Sequence, residues 1–239
     1  MQKLEQGLKY LVSHGLNLIS ILDCGKLPNS TSATICDSGI ALFDYKRLLL
    51  IGHGGRLLWH ALRAKGMETV DPVDPVDHYS VTVISQFIQI HLRNAPLLWL
   101  YPLTQHQVPL QQLGAAAGWD HPSPLGLGIS PDYGLWYAYR AALLIDADLP
   151  LTPLHRSLSP CDGCSDKPCV RHCPVGAVRS TGMAMEVCAK QRLAEKSICA
   201  DRCPARMACP VHPEHRYELD QIQYHYRHSL ATLRDWYAV

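Results

Sequence analysis

The residues in this chain that could do chemistry are above all its cysteines. Ten are present and unevenly spread: Cys24 and Cys36 stand alone near the start, and the other eight fall between positions 161 and 209. In a reducing compartment, clustered cysteines bind metal more often than they pair as disulfides. Two cubane iron–sulfur clusters require eight thiolates, the number that this segment supplies. We expect a metal-binding segment, with Cys24 and Cys36 as ordinary buried or loop residues.

The first four cysteines of the segment have an informative spacing. They read C-x2-C-x4-C-x3-C-P, close to the C-x2-C-x2-C-x3-C-P run of bacterial ferredoxins. Closely spaced thiolates can wrap three corners of a cubane, and the remote cysteine before the proline points to a neighbouring cluster. The middle gap is two residues longer here, which a bulged loop can accommodate. The residues after Cys173-Pro174, Val175-Gly176-Ala177-Val178, also resemble the usual continuation in such ferredoxins.

The ligand sets follow if the cross-over pattern of two-cluster ferredoxins holds. One [4Fe–4S] cluster is then bound by Cys161, Cys164, Cys169 and Cys209, and the other by Cys173, Cys188, Cys199 and Cys203. A single [4Fe–4S] cluster with unused cysteines is one alternative. Structural zinc is another, although zinc modules usually show two C-x2-C knuckles separated by a spacer.

Composition and charge narrow the class of protein. The chain has 239 residues, 47% of them hydrophobic, so it can form one substantial core with a smaller appended unit. Its 22 Lys+Arg and 21 Asp+Glu leave a formal charge of +1, which gives no strong nucleic-acid signal. Apolar runs fall far short of the ~20 residues of a membrane span. The start lacks a secretory pattern, so we expect a cytoplasmic protein with no membrane partner.

The part before residue 150 alternates strand-like and helix-like patterns. The apolar spacing predicts strands at Leu16–Leu22, Arg47–Ile51 and Leu97–Leu103, a turn at Gly52–Gly55, and helices at Arg56–Lys65, Val81–Leu92 and Leu110–Ala117. The run Asp71–Pro75 is expected to be a loop, with Asp74 and Asp77 as a solvated pair. This alternation predicts an α/β or α+β layer fold.

The composition changes near Pro150. From there to Pro213 the chain is rich in cysteine, proline and charge, so metal rather than an apolar core is expected to organise it. Beyond Glu218, apolar residues recur on one helix face. We predict an α/β domain over 1–150, a ferredoxin-like 4Fe–4S module over 151–215, and a C-terminal helix over 216–239 that packs on the main domain.

Three further segments carry a resemblance to known families. Residues 108–119, V-P-L-Q-Q-L-G-A-A-A-G-W, are similar to the P-L-x-x-L-A-G-x-G-W stretch of epoxyqueuosine reductase, and residues 129–136 to the H-P-x-F-G-x-W stretch that follows. Both also resemble the cblC-type cobalamin-processing proteins, which continue with an Arg where this chain has Arg140. His215–Gln221 is similar to their R-Y-x-x-x-Q. With its cysteine module, the chain looks like epoxyqueuosine reductase and the reductive dehalogenases.

The resemblance implies a fold and cofactors. The fold is a nitroreductase-like domain of the cobalamin-binding reductase type, followed by the ferredoxin-like module. A corrinoid, cobalamin in these families, would bind against the α/β domain and receive electrons from the clusters. The matching positions for cofactor contacts are Tyr133, Gly134, Trp136 and Arg140. FMN is the alternative cofactor, because nitroreductase-like domains elsewhere hold a flavin.

The proton donor is the point at which the chain departs from epoxyqueuosine reductase. That family carries an acidic residue shortly before its P-L-x-x-L segment, and the stretch 99–106 here has no carboxylate. Dehalogenases use a tyrosine in this role. The resemblance therefore implies Tyr101 or His106 as the catalytic group.

Two functions from different classes follow. The preferred one is a corrinoid-dependent reductase that takes electrons from a reduced ferredoxin or flavodoxin-type donor and cleaves a small-molecule substrate reductively. The alternative is an electron-transfer or cobalamin-handling protein that turns over no substrate. The missing carboxylate favours the alternative, and the large α/β domain favours the enzyme.

A group of histidines near the end of the chain invites a metal-site interpretation. His225 and His228 are three residues apart in a predicted helix, and His212 and His215 precede them. No carboxylate or cysteine completes a ligand set by its spacing, so a second metal site is not predicted there.

Overall fold

The computed structural model describes residues 2–66, 74–92, 95–103, 107–154 and 157–237. The chain divides into two compact units. The first comprises Met1–Asp120 and Tyr137–Ser157, and the second comprises His121–Trp136 and Leu158–Val239. Residues 121–136, which the sequence-based division assigned to the first domain, thus group with the cysteine segment.

The first unit consists of helices around one sheet. Its elements are α1 (Gln2–Ser13), β1 (Leu18–Asp23), α2 (Asn29–Asp37), β2 (Arg47–Gly54), α3 (Leu57–Ala64), α4 (Pro75–His91), β3 (Leu97–Tyr101), α5 (Leu110–Ala116) and, after the excursion into the second unit, β6 (Tyr137–Ile145). None of the helices that the structure describes in the chain is long and apolar enough to cross a membrane.

The sheet has the strand order β1-β2-β6-β3. Every pairing among these strands is antiparallel, so α+β is the correct member of the two predicted fold classes. Strand β2 lies inside the sheet, paired with β1 on one edge and β6 on the other, and it is buried from Leu48 to Gly54. Leu50 lies opposite Ala142 of β6, and both are fully buried.

The start of α4 corrects the loop predicted at Asp71–Pro75, of which residues 71–73 lie outside the described part. Asp74 is the N-cap: its carboxylate accepts hydrogen bonds from the backbone N–H groups of Val76 and Asp77, each at 3.1 Å. Pro75 occupies the first helical turn, where no intrahelical N–H is needed. The proline therefore begins a helix here, which packs against α1.

The turn predicted at Gly52–Gly55 is shorter than expected. Strand β2 continues to Gly54, with a register shift between Ile51 and Gly52 in its pairing with β6. A Cβ at Gly52 would lie 2.6 Å from the carbonyl oxygen of Ala138, so glycine permits the close approach of the two strands. The chain turns only at Gly55, whose φ is +70°.

The second unit is made of short elements and one long helix. They are β4 (His121–Pro122), β5 (Gly128–Ile129), α6 (Pro168–Arg171), β7 (Val178–Arg179), β8 (Gly182–Met183), α7 (Met185–Leu193), α8 (Pro204–Met207) and α9 (Leu219–Tyr237). Strand β4 pairs with β5, and β7 pairs with β8. Helix α6 contacts α8, and α9 contacts α7 within this unit.

An apolar cluster accompanies the cysteines. Leu125, Ile129 and Leu135 pack with Val178 and Ala205, together with the buried Cys169 and Cys209. The expectation that metal alone organises the segment is therefore wrong. The apolar side chains of this cluster come mainly from residues 121–136, outside the 151–215 segment predicted as the module.

Candidate metal centres

Four cysteines of the second unit surround a small cavity of ≈ 20 Å³. They are Cys161, Cys164, Cys169 and Cys209, which we call set A. Cys169 lies in α6. It follows Lys167, which has a left-handed φ of 38°, and Pro168, which occupies the first helical turn. Lys167 is the charged side chain among the lining residues, and its Nζ donates to the carbonyl oxygen of Cys161 at 3.3 Å.

The other four clustered cysteines line a second, larger cavity of ≈ 210 Å³. They are Cys173, Cys188, Cys199 and Cys203, which we call set B. Cys188 lies in α7, and Cys203 is the N-cap of α8. The cavity wall is otherwise mostly apolar, with Leu125, Leu127 and Met185 among its members. The charged side chains that line it are Arg192, Arg202 and Arg206.

The electrostatic interactions among the thiols follow the same division. Burial raises the pKa of the Cys161 thiol, and Cys209, Cys169 and Cys164 raise it further. Burial raises the pKa of Cys188 to about 11, with further contributions from the thiols of Cys203, Cys173 and Cys199. Like-charged neighbours disfavour the thiolate form in each set, and a bound cation reverses that preference.

Hydrogen-bond donors converge on two sulfurs of set B. Burial raises the pKa of the Cys173 thiol, but backbone N–H groups of residues 175–178 outweigh it, and the net pKa is lowered. The Cys203 Sγ accepts from the backbone N–H of Arg206 at 3.4 Å. Tyr226 lines the same cavity, where burial raises the pKa of its hydroxyl and Cys203 raises it further. These donors stabilise negative charge on sulfur.

Two guanidinium groups beside set B have buried nitrogens without partners. Arg192 donates through Nη2 to Ser229 Oγ at 2.8 Å and to the Tyr226 carbonyl oxygen at 3.1 Å. Arg206 donates through Nη2 to the Leu135 carbonyl oxygen at 2.6 Å. The Nε atoms of both arginines are buried and have no hydrogen-bond partner among the described residues. Such donors suit an anionic group in the cavity.

The donor atoms fit iron–sulfur clusters. Each cavity offers four cysteine sulfurs, and no histidine or carboxylate is among its described lining residues. Four thiolates are the ligands of a [4Fe–4S] cluster and also of a structural zinc ion. Zinc–sulfur bonds place the four sulfurs roughly 3.8 Å apart around a single ion. The ≈ 210 Å³ cavity of set B exceeds that space, whereas the four thiolates and the ≈ 20 Å³ cavity of set A do not by themselves separate a cluster from a zinc ion.

The remaining cysteines belong to the first unit and line neither cavity. Cys24 follows β1 and is 1% exposed, and burial raises the pKa of its thiol to about 12. Cys36 lies in α2 and is half-buried.

A buried polar group in the first unit accompanies Tyr101, the last residue of β3. The Arg140 Nε donates to the Nδ1 of the fully buried His53 at 3.1 Å, and its Nη1 donates to Asp77 Oδ1 at 3.3 Å. Burial raises the pKa of Tyr101, Asp77 raises it further, and Arg140 partly opposes them. The prediction that Asp74 and Asp77 form a solvated pair is therefore wrong, because the two carboxylates have separate partners. His106, the other predicted catalytic residue, lies outside the described residues.

The sequence analysis overlooked His53 and Asp77 as members of this group. His53 stands in an apolar strand, where a lone imidazole is a signal of a buried hydrogen bond. Asp77 lies in the first turn of α4, and the helix orients its carboxylate. Because the sequence predicts a loop up to Pro75, a helix start at this position was not expected.

The predicted cofactor contacts in the second unit have partners within the fold. Trp136 is fully buried, with the Arg206 guanidinium 4.6 Å and the Arg216 guanidinium 5.7 Å from its ring centre. Tyr133 lies 4.7 Å from the His215 ring. Gly134 has a φ of +57°, and a Cβ there would meet the carbonyl oxygen of Val211. Gly134 and Trp136 thus have a structural use, and the fully buried indole offers no surface to a corrin.

The motif at 108–119 also has a structural use, within the first unit. Gly114 leaves room for the Tyr139 hydroxyl, which a Cβ would meet. That hydroxyl donates to Asp120 Oδ2 at 2.6 Å, and the Tyr139 ring stacks on Trp119 at 6.2 Å. Glycine, tryptophan and the following aspartate therefore form one packing arrangement around Tyr139.

A carboxylate does accompany the histidines near the end of the chain. His212 Nδ1 lies 2.9 Å from Glu214 Oε1, and ligand atoms of His212, Glu214 and His215 lie within 4.8 Å of one another. The prediction that no carboxylate completes the set is therefore wrong, since a one-turn 3₁₀ helix at Pro213–His215 brings the three together. His212 Nε2 is 2.7 Å from the Pro131 carbonyl oxygen, so both ring nitrogens have protein partners without a metal ion.

Comparisons with known proteins give a likeness of fold. The chain matches no protein-family model, and its sequence matches no curated protein at a significant level. It superposes on the B12-trafficking protein CblC of C. elegans with a TM-score of 0.55 and 17% identity, over 99% of this chain and 97% of that one. Epoxyqueuosine reductase from Streptococcus thermophilus gives 0.52 and 14%, over 89% of this chain and 66% of that chain.

A third structure belongs with these. Epoxyqueuosine reductase in complex with an epoxyqueuosine-modified tRNA-Tyr stem loop gives a TM-score of 0.58 at 12% identity, over 93% of this chain and 68% of that one. The chain has the fold of these proteins. The resemblance predicted from the sequence is thus confirmed at the level of fold, and the chain spans about two thirds of the length of the reductases.

Proposed function

We propose that this chain is a two-cluster iron–sulfur redox protein. The observation that carries the proposal is the placement of the eight clustered cysteines around two cavities, four to each. Set A would hold one [4Fe–4S] cluster and set B the other, with Cys173 crossing over from the first cysteine run to the second set. Bound clusters of this type supply one-electron transfer.

Redox use rather than structural zinc is supported by the surroundings of set B. The cavity exceeds the space of a single ion, and buried guanidinium nitrogens and a tyrosine hydroxyl surround it. Thiolate-ligated [4Fe–4S] clusters carry net negative charge that increases on reduction, so these groups match what such a cluster needs.

We infer the reaction class, reduction with a corrinoid, from the fold shared with a B12-trafficking protein and with epoxyqueuosine reductases. That the first unit is a nitroreductase-like domain is also part of this proposal. A bound cobalamin would supply a cobalt centre that accepts the electrons. Of the four predicted cofactor contacts, Tyr133 and Arg140 remain proposals. The positions of Gly134 and Trp136 do not support a role for these two residues in binding the cofactor. FMN is the alternative cofactor.

Tyr101 is the proposed proton donor for a reductive cleavage. Burial and the neighbouring Asp77 carboxylate keep its hydroxyl protonated at neutral pH, and Arg140 orients that carboxylate. The proposed electron donor is a reduced ferredoxin or flavodoxin, and the proposed substrate is a small molecule.

A second function, cobalamin handling or electron transfer without substrate turnover, is favoured by a specific observation. The stretch 99–106 has no carboxylate at the place where the resemblance to epoxyqueuosine reductase implies an acidic proton donor. Under this function Tyr101 would have no catalytic role.

The experiment that tests the corrinoid proposal is an EPR titration of cob(II)alamin with the reconstituted protein under strict anaerobiosis. A spectrum that moves to the base-off form supports it, and a spectrum unchanged at excess protein contradicts it. The Tyr101→Phe variant then separates the two functions. If the variant loses turnover while the base-off spectrum persists, the result supports the enzyme function. If cobalt is reduced at an unchanged rate and no product forms, the result supports the cobalamin-handling function.

A further inference from the structure

The two cysteine sets differ in the groups that surround them. Set A has the ammonium of Lys167 in its cavity wall, and that group donates to a backbone carbonyl rather than to a sulfur. Arg216 acts on the set A thiol of Cys209 from outside the wall. Set B has three guanidinium groups in its wall, of which Arg202 is paired with Asp201 at 2.9 Å.

Tyr226 is the side chain that brings a hydroxyl into this cavity. It lies on α9 and lines the set B cavity together with Cys203, the N-cap of α8. The Arg192 guanidinium lies 4.9 Å from the centre of its ring and donates to its carbonyl oxygen, which fixes the tyrosine against the cavity. A hydroxyl in this cavity is a hydrogen-bond donor that stabilises negative charge on a neighbouring sulfur.

Because reduction adds negative charge to a thiolate-ligated cluster, donors and cations near the sulfurs stabilise the reduced form and raise the reduction potential. Set B has such groups at Cys203 and at Cys173, where backbone N–H groups of residues 175–178 converge. At set A, by comparison, the backbone donors are those of Val170 and Cys169 at the Cys169 sulfur and that of Val211 at the Cys209 sulfur.

We propose that Tyr226, held by Arg192, is a positioning residue that raises the reduction potential of the cluster in set B above that of the cluster in set A. This inference rests on the proposed function, since it requires both clusters. An electron that enters the second unit then resides on the set B cluster, which makes set B the point of departure toward an acceptor.

The test is a potentiometric titration of the reconstituted protein followed by EPR, with Tyr226→Phe as the variant. Two one-electron waves are expected in the unaltered protein. Loss of the hydroxyl lowers the equilibrium constant for reduction of the higher-potential cluster by a factor of about three to ten, tenfold being about 59 mV for a one-electron couple. The lower wave stays in place. Tyr224→Phe, the same change on the same helix, moves neither wave.

A second variant keeps the proposal falsifiable if Tyr226→Phe does not retain iron. Arg192→Gln removes a positive charge from the set B wall and lowers the same wave. The proposal is overturned if Tyr226→Phe retains its iron and leaves the higher wave in place, if Arg192→Gln leaves that wave in place, if both waves move equally, or if the unaltered protein shows one two-electron wave. Protein that reconstitutes without any iron and sulfide contradicts the proposed function itself, which is a different result.

Discussion

Cys209 lies against the same cavity as Cys161, although α6, α7 and α8 separate the two cysteines along the chain. Pro210 and Val211 also line that cavity, and the Val211 carbonyl oxygen lies close to Gly134. A metal group bound by both cysteines would therefore fasten the end of the cysteine segment to its beginning.

The two ligand sets predict opposite effects of single cysteine variants. Cys209→Ser should remove the set A cluster and leave set B intact, while Cys188→Ser should do the reverse. Each variant should then retain about half of the iron and sulfide of the parent, because each cluster needs four thiolates. Iron and acid-labile sulfide analysis after reconstitution measures this.

The matched control is Cys36→Ser, which should keep all of the iron because Cys36 lies in α2 of the first unit. A full iron content in Cys209→Ser would show that this cysteine is no ligand.

The polar group around Tyr101 predicts a pH effect with a defined sign. Asp77 raises the pKa of Tyr101, so Asp77→Asn should lower that pKa toward its ordinary value. Arg140 acts in the other direction, and Arg140→Met should raise it. An absorbance titration of tyrosine ionisation, with Tyr101→Phe to assign the signal, makes the measurement.

Asp132→Asn serves as the control, since Asp132 acts on Tyr133 instead. A Tyr101 pKa that rises in Asp77→Asn would mean that loss of order at Arg140 outweighs the removed charge, and the electrostatic explanation would then fail.

Of the two cysteines outside sets A and B, Cys24 should be alkylated more slowly than Cys36. Burial raises its pKa to about 12, so at pH 8 almost none of it is thiolate, the form that is alkylated. A short pulse of iodoacetamide on the cluster-loaded protein, followed by peptide mass spectrometry, should label Cys36 first. Labelling of Cys24 at an equal rate would place it at the surface.

The hydrogen bond between Tyr139 and Asp120 should contribute to the stability of the first unit. Asp120 is 7% exposed, and Tyr139→Phe removes a 2.6 Å donor from its carboxylate while the ring remains to stack on Trp119. We expect a loss of about 1–3 kcal/mol in the free energy of unfolding, measured by urea titration. Tyr237→Phe, at an exposed position, should change it by less than about 0.5 kcal/mol. Equal stability of the two variants would contradict this.

The spacing of the cysteines was enough to propose both ligand sets, because ferredoxin-type geometry is encoded in short gaps and a Cys-Pro end. The amphipathic face of α9 and the apolar run of β2 likewise predicted the helix and the strand that the structure contains. In these segments local propensity and tertiary burial agree, so the pattern is sufficient.

Other features could not be predicted, for physical reasons. Asp74-Pro75 suits a turn and a helix start equally well, and only packing of α4 against α1 decides between them. Glu214 reaches His212 because a 3₁₀ turn compresses the chain there, which no periodicity reports. The pairing of Arg140 with His53 joins residues of two neighbouring strands, and a single sequence does not contain that register.

The measurement that tests the central claim most directly is the iron and acid-labile sulfide content of anaerobically purified, reconstituted protein, combined with EPR after reduction. Two [4Fe–4S] clusters predict about eight iron atoms and eight sulfides per chain and signals from two reduced clusters. Stoichiometric zinc without sulfide, or the iron content of a single cluster, would contradict it.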